Sequence, residues 1–154
     1  MLEGVLVFLV TATVLYVLFG GADFGAGILE WFTPPALRSR QQELTNKALG
    51  PVWEANHIWS IVVVVILFTG FPRLYRELSV AYHIPLTLML FGIMLRGCAF
   101  TFRHYDPSPT DTDMRLYSRL FVGSSFITPL THGLIAGGLI ANPLTPEPGS
   151  FHST

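Results

Sequence analysis

The chain has 154 residues, of which 51% are hydrophobic and only 12% are charged, and its formal net charge is −1 at pH 7. Because soluble domains carry about 25% charged residues, this composition indicates an integral membrane protein. The near-zero net charge gives no sign of the basic surface that nucleic acid requires, so no nucleic-acid partner is expected. A single cysteine, Cys98, excludes an intramolecular disulfide.

Four stretches are apolar enough, and long enough at about 20 residues, to cross a bilayer as helices. They cover about residues 2–31, 49–71, 78–102 and 116–141. Backbone polar groups inside hydrocarbon must be satisfied internally, which makes each stretch a helix. The predicted fold is therefore all-α, an integral membrane four-helix bundle within residues 1–142. The first helix is expected to stay in the membrane, because its apolar run is longer than that of a signal peptide.

Proline-containing turns separate the predicted helices, since proline cannot continue a helix. These turns are Thr33-Pro34-Pro35, Phe71-Pro72, Asp106-Pro107 and Asn142-Pro143. Residues 143–154 are predicted to form a Pro-rich tail or loop outside the bundle.

Lysine and arginine are unevenly distributed among the predicted loops, six in the first and third against two in the second. The six are Arg38, Arg40, Lys47, Arg103, Arg115 and Arg119, and the two are Arg73 and Arg76. Because cytoplasmic loops are enriched in these residues, both termini are expected on the extracytoplasmic side of an inner or plasma membrane.

The start of the second span contains a carboxylate, an amide and an imidazole within two helical turns. Pro51 is predicted in the first turn of this helix, followed by Glu54, Asn56 and His57. Glu54 and His57 share a face because they are three residues apart. Ionisable groups at membrane depth mark ion or proton paths, so a proton relay is the working hypothesis, and a hydrogen-bonded helix start is the alternative. Glu-x-x-His also occurs in di-iron bundles, but the second such pair is missing and no metal site is expected.

Asp23 and Arg96 are predicted at a similar depth, on the cytoplasmic half of the first and third spans. Arg96 is costly there unless it is paired, and Asp23 and Glu54 are the candidate partners. Small residues around Asp23 allow a neighbouring helix to approach closely. Asp23 is then either a buried proton carrier or half of a structural ion pair, and spacing alone leaves both open.

Five motifs in this order resemble subunit II of cytochrome bd-type quinol oxidases. They are GADFGAG at 21–27, PVWEANHIW at 51–59, FPRLY at 71–75, RGCAFTFR at 96–103 and GSSFITPL at 123–130. The most specific is the second, which places Trp53 and Trp59 around the acidic residue and Asn56. The resemblance implies that Glu54 and Asp23 match acidic positions of the family, and that His57 stands where a polar residue is usual. Gly20 and Thr101 replace residues that are acidic in many members.

The resemblance also implies an arrangement of subunits. Such chains look like two four-helix bundles in tandem, paired with a subunit I that carries haem b, haem d and the quinol site. Subunit II is expected to bind no haem, to stabilise subunit I and to contribute to a proton route from the cytoplasm. Small single-helix subunits, membrane lipid and a structural quinone are further expected partners or ligands.

The favoured hypothesis is thus a haem-free accessory subunit of a quinol:oxygen oxidoreductase, with Glu54, His57 and Asp23 in a proton inlet. Arg96, Trp53, Asn56 and Trp59 are assigned to ion pairing or helix packing, and no catalytic residue is expected in the chain itself. Three alternatives stay open: a non-catalytic assembly module, a half-length transporter that dimerises, and a small b-type cytochrome. The last would use His57, His83 or His132 as haem ligands.

Overall fold

A computed structural model describes residues 2–108 and 110–141, apart from the side chain of Asp111. The predicted turn at Asn142-Pro143 and the predicted tail at 143–154 lie outside the described residues. Within these ranges the chain is all-α.

Five helices account for nearly all of the described chain. They are α1 (Leu2–Phe32), α2 (Pro35–Gly70), α3 (Pro72–Ala81), α4 (His83–Tyr105) and α5 (Asp111–Ala141). All but α3 contain a window that is long and apolar enough to cross a membrane. The predicted membrane bundle of four long helices is confirmed.

The four long helices alternate in direction. Helices α1 and α5 run antiparallel. Tyr16 contacts His132, and Glu30, farther along α1, contacts Ser118, which comes earlier in α5. By contrast α1 and α4 run parallel. Asp23 contacts Arg96, and seven residues farther along both helices Glu30 contacts Arg103. The C-terminal ends of α1 and α4 therefore lie at the same end of the bundle, as do the start of α2 and the start of α5.

The second helix is longer than the apolar run predicted. It begins at Pro35, not near residue 49, and Pro51 lies inside it instead of in its first turn. Pro35 suits the first helical position, where its missing N–H removes no bond. Pro51 removes one internal hydrogen bond, but buried Leu49 and Asn56 on either side of it pack against the bundle and hold the helix.

A short helix replaces the predicted start of the third span. Helix α3 ends at Ala81, and α4 begins at His83 instead of about residue 78. Tyr82 separates them, and its side chain occupies the space above Gly138 of α5, where an added Cβ would lie 3.0 Å from the Tyr82 ring carbon Cζ. The connection is thereby packed against the bundle.

Two glycines allow close helix contacts. A Cβ on Gly27 of α1 would lie 2.7 Å from the Ser125 Cβ of α5 and would also collide with the Ser125 hydroxyl. On α4, a Cβ on Gly92 would collide with the Thr128 hydroxyl of α5. Small residues at such crossings are typical of membrane helix packing, and here they allow α5 to pack directly against the backbones of α1 and α4.

We expect Gly27→Ala to destabilise the protein by about 1–3 kcal/mol, because the added methyl group overpacks the contact with Ser125. Thermal unfolding of the detergent-purified protein measures the effect. The matched control is Gly25→Ala, because a Cβ on Gly25 meets nothing within 4 Å. Equal unfolding midpoints for the two variants would contradict the close α1–α5 contact.

Candidate functional site

A buried ion pair joins α1 to α4. The Arg96 guanidinium donates through Nε to Asp23 Oδ2 at 3.0 Å and through Nη2 to Asp23 Oδ1 at 2.7 Å. It also donates to the backbone carbonyl of Asp23 and to the Ser125 hydroxyl of α5. Both charged residues are only 2% exposed. The arrangement is a two-point clamp in which each carboxylate oxygen accepts one N–H.

A second buried ion pair lies two helical turns away. Arg103 Nη1 donates to Glu30 Oε2 at 2.9 Å, and Arg103 Nη2 donates to Asn46 Oδ1 at 2.6 Å. The other Glu30 oxygen accepts from Gln42 at 2.7 Å and from the Ser118 hydroxyl at 2.5 Å. Since Gln42 and Asn46 belong to α2 and Ser118 to α5, this pair contacts all four long helices.

One aromatic ring connects the two arginines. Phe121 of α5 is fully buried, and its ring centroid lies 4.3 Å from the Arg96 guanidinium carbon and 4.4 Å from that of Arg103. A guanidinium over an aromatic face is attracted to the ring electrons, the more strongly where water is excluded. Together with the two carboxylates, this ring compensates both buried positive charges.

Asp23 and Arg96 are each followed by a second residue of the same charge seven positions later, and the sequence-based prediction used only the first residue of each set. Asp23 and Glu30 are seven residues apart, and so are Arg96 and Arg103. Seven residues are about two helical turns, so both members of each set share one helix face. Two acids and two arginines with equal spacing predict a doubled pairing between parallel helices. The structure places Arg96 on Asp23, and Glu54 takes no part in this network.

The predicted proton-path residues of α2 lie at the edge of the bundle. Glu54 and His57 are exposed, whereas Asn56 between them is buried. His57 and Asn56 line a small cavity of about 10 Å³, which Asp23 and Tyr16 line from α1. That volume is about the size needed to hold one water molecule. The Asn56 Oδ1 atom accepts no hydrogen bond from any described residue.

The two predicted tryptophans differ in their surroundings. Trp53 stacks on His57 with ring centroids 5.8 Å apart and on Phe100 of α4 at 5.7 Å. The Trp53 ring therefore lies between the exposed His57 imidazole and the buried Phe100 ring. Trp59 is partly buried. Trp53 thus supports His57 at the mouth of the cavity.

The two other histidines considered as haem ligands, His83 and His132, have hydrogen-bond partners within the protein. His132 Nδ1 lies 2.8 Å from the Thr128 carbonyl, and its Nε2 lies 2.7 Å from the Tyr16 hydroxyl. A carbonyl can only accept, so Nδ1 carries the proton and Nε2 accepts from Tyr16. His83 Nδ1 lies 3.0 Å from the Val80 carbonyl. Both ring nitrogens of His132 are thus engaged within the protein.

Metal-ligating side chains are dispersed over the part of the chain that the structure describes. No group of three or more His, Cys, Asp or Glu side chains there is close enough to share a metal ion. Glu54 and His57 belong to no such group within these described ranges.

These features define a class: a multi-pass α-helical membrane protein with a charged network buried among its spans. The chain belongs to the cytochrome bd terminal oxidase subunit II family, whose model matches residues 2–151. The resemblance inferred from the motifs is confirmed.

Three relatives illustrate the match. Cytochrome bd ubiquinol oxidase subunit 2 of Bacillus subtilis is 32% identical over 83 residues, covering 54% of this chain and 24% of the relative. Putative cytochrome bd menaquinol oxidase subunit II of the same organism is 26% identical over 83 residues, with the same coverage. Probable cytochrome oxidase subunit 2 of Haemophilus influenzae is 24% identical over 132 residues, covering 85% and 34%. The chain thus spans about a quarter to a third of the length of these relatives. No solved structure matches it significantly.

We expect Arg96→Leu to cost about 3–5 kcal/mol of stability, because Asp23 would be left charged and unpaired in the core. The double variant Asp23→Leu/Arg96→Leu should recover most of that loss, since apolar replacements of both partners leave no uncompensated charge. Yield and thermal midpoint of the purified complex measure both. A double variant less stable than the single one would contradict the pairing.

Proposed function

We propose that this chain acts as a haem-free accessory subunit of a membrane quinol:oxygen oxidoreductase of cytochrome bd type. Quinol oxidation and oxygen reduction take place on a haem-bearing partner, subunit I, which carries haem b and haem d. Membership of the subunit II family and the names of the two Bacillus subtilis relatives support this assignment. The chain contributes a helix surface for the partner and a proton inlet.

The inlet rests on one observation: ionisable side chains of α2 are exposed beside a cavity that reaches the buried ion pair. Glu54 and His57 share the outer face of α2, and His57 lines the cavity together with Asp23. Lipid is a costly environment for a carboxylate and an imidazole, so a partner or a water-filled path covers this face. Protons enter at Glu54, pass to His57 and reach the cavity at Asp23.

The ion pair with Arg96 determines the role of Asp23 in this proton route. Arg96 holds both of its carboxylate oxygens, so the inner end of the cavity carries a balanced pair of charges. A proton on Asp23 would leave Arg96 as an uncompensated buried cation, so Asp23 carries the proton only in transit, and the balanced pair is restored when the proton leaves. Tyr16, which also lines the cavity, donates to His132 and extends the chain of hydrogen bonds to α5.

The orientation is part of the proposal. The end of the bundle that holds Arg38, Lys47 and Arg119 faces the cytoplasm, as the distribution of basic residues favours. Asp23 then lies in the half of α1 nearer the cytoplasm, Glu54 lies near the middle of α2, and protons are taken from the cytoplasmic side.

We expect Glu54→Gln to lower quinol oxidase turnover by about tenfold or more while assembly is retained, because a positioned proton-transfer group contributes about 10²–10⁴-fold. The measurement is oxygen consumption by the purified complex. The matched control is Glu43→Gln on the same helix, since Glu43 is exposed and pairs only locally with Lys47 at 2.7 Å. Full activity in an assembled Glu54→Gln complex would reject the proton role.

A second candidate is a purely structural subunit, and the saturation of Asp23 by Arg96 favours it. In that case the buried acids fix helix positions, and turnover is normal in every variant that assembles.

A redox spectrum of the affinity-purified complex tests the remaining alternatives. A transporter would show no haem, and a small b-type cytochrome would show haem in the isolated chain.

A further inference from the structure

A cleft of about 520 Å³ opens at the end of the bundle where α1 stops and α2 begins. Its lining includes Arg38 of α2, Arg119 of α5 and the ring of Trp31 at the end of α1. This volume is in the range of small-molecule binding sites. The cleft is separate from the small cavity that Asp23 and His57 line.

The α5 wall of the cleft changes from charged to apolar with depth. Arg119, Val122, Gly123 and Phe126 all line it, and their spacing of three, four and seven residues places them on one helix face. At 1.5 Å per residue, Phe126 lies roughly 10 Å farther along the helix than Arg119. Trp31 meets the edge of Phe126 with ring centroids 6.3 Å apart and closes the apolar end.

The two arginines at the mouth are available for a ligand. Among the described residues, neither Arg38 nor Arg119 has an ion-pair or hydrogen-bond partner. The one carboxylate that lines the cleft, Glu30, is only 1% exposed, and its oxygens are held by Arg103, Gln42 and Ser118. Glu30 therefore neither neutralises the two arginines nor repels an anion at the mouth.

We propose that this cleft binds an anionic phospholipid, with its phosphate between Arg38 and Arg119 and an acyl chain along Val122 and Phe126. Guanidinium groups suit phosphate oxygens because they present several N–H donors in one plane. Basic pockets between membrane helices near the surface are known to hold anionic headgroups. A charged mouth above an apolar wall fits an amphiphile, whereas a free anion would leave the wall uncovered. The site does not depend on the proton inlet proposed above.

The test is a lipid titration of the affinity-purified complex in neutral detergent, with bound lipid counted by native mass spectrometry. Dioleoylphosphatidylglycerol should bind more tightly than dioleoylphosphatidylcholine. Arg38→Gln/Arg119→Gln should weaken phosphatidylglycerol binding about 30-fold, since each arginine near an anionic lipid surface contributes about 1 kcal/mol. The matched control is Arg40→Gln/Arg115→Gln, which removes two exposed arginines from the same helices outside the cleft and should leave binding unchanged.

A second variant tests the apolar wall without changing charge. A Cβ on Gly123 meets nothing within 4 Å, so Gly123→Leu fits the helix and fills the cleft. It should lower phosphatidylglycerol binding while all four arginines remain. Three results would overturn the proposal. They are an equal loss of phosphatidylglycerol binding in both double variants, no preference for phosphatidylglycerol over phosphatidylcholine, and unchanged phosphatidylglycerol binding in Gly123→Leu. Tight binding of inorganic phosphate that requires Arg38 and Arg119, with no lipid preference, would show a free-anion site and also overturn it.

Discussion

Two arginines buried among membrane helices impose the constraint on which this structure depends. Moving a guanidinium out of water is costly, and a protein accepts it only with a nearby counter-charge and hydrogen bonds. Arg96 and Arg103 meet that requirement with Asp23 and Glu30, at 2.7 Å and 2.9 Å respectively. The ring of Phe121 lies beside both cations. Four of the five helices are positioned around this network.

The value of such a network lies in specificity more than in net stability, because desolvation offsets much of the attraction. The equal seven-residue spacing on α1 and α4 sets their register. A shift of one helical turn would leave Asp23, Glu30, Arg96 and Arg103 all unpaired in the core. The close contact at Gly27 then fixes α5 against α1. Together these contacts hold the cavity and the Glu54–His57 face in constant positions relative to each other.

Much of the fold was predictable because apolar runs determine membrane helices directly. The polar first half of α2 was not, since residues 35–48 carry no long apolar run and Pro51 suggested a helix start. Because of that error, the contacts of Gln42 and Asn46 with the second ion pair were not predicted. Both residues lie on α2 only because this helix begins at Pro35 and continues through Pro51. The Arg103–Glu30 pair was missed although its spacing repeats that of Arg96 and Asp23. The exposure of Glu54 depends on the rotation of α2 about its axis, which a short motif does not determine.

The central claim is that Arg96 and Asp23 form a direct ion pair inside the membrane bundle. Magic-angle-spinning NMR of the complex in lipid bilayers, with ¹⁵N-labelled arginine and ¹³C-labelled aspartate, measures this contact without any mutation. The account predicts dipolar coupling between the Arg96 guanidinium nitrogens and the Asp23 carboxyl carbon, consistent with a nitrogen–oxygen distance of 2.7 Å. An Arg96 guanidinium coupled to lipid phosphorus or to water, with no carboxyl neighbour, would contradict it.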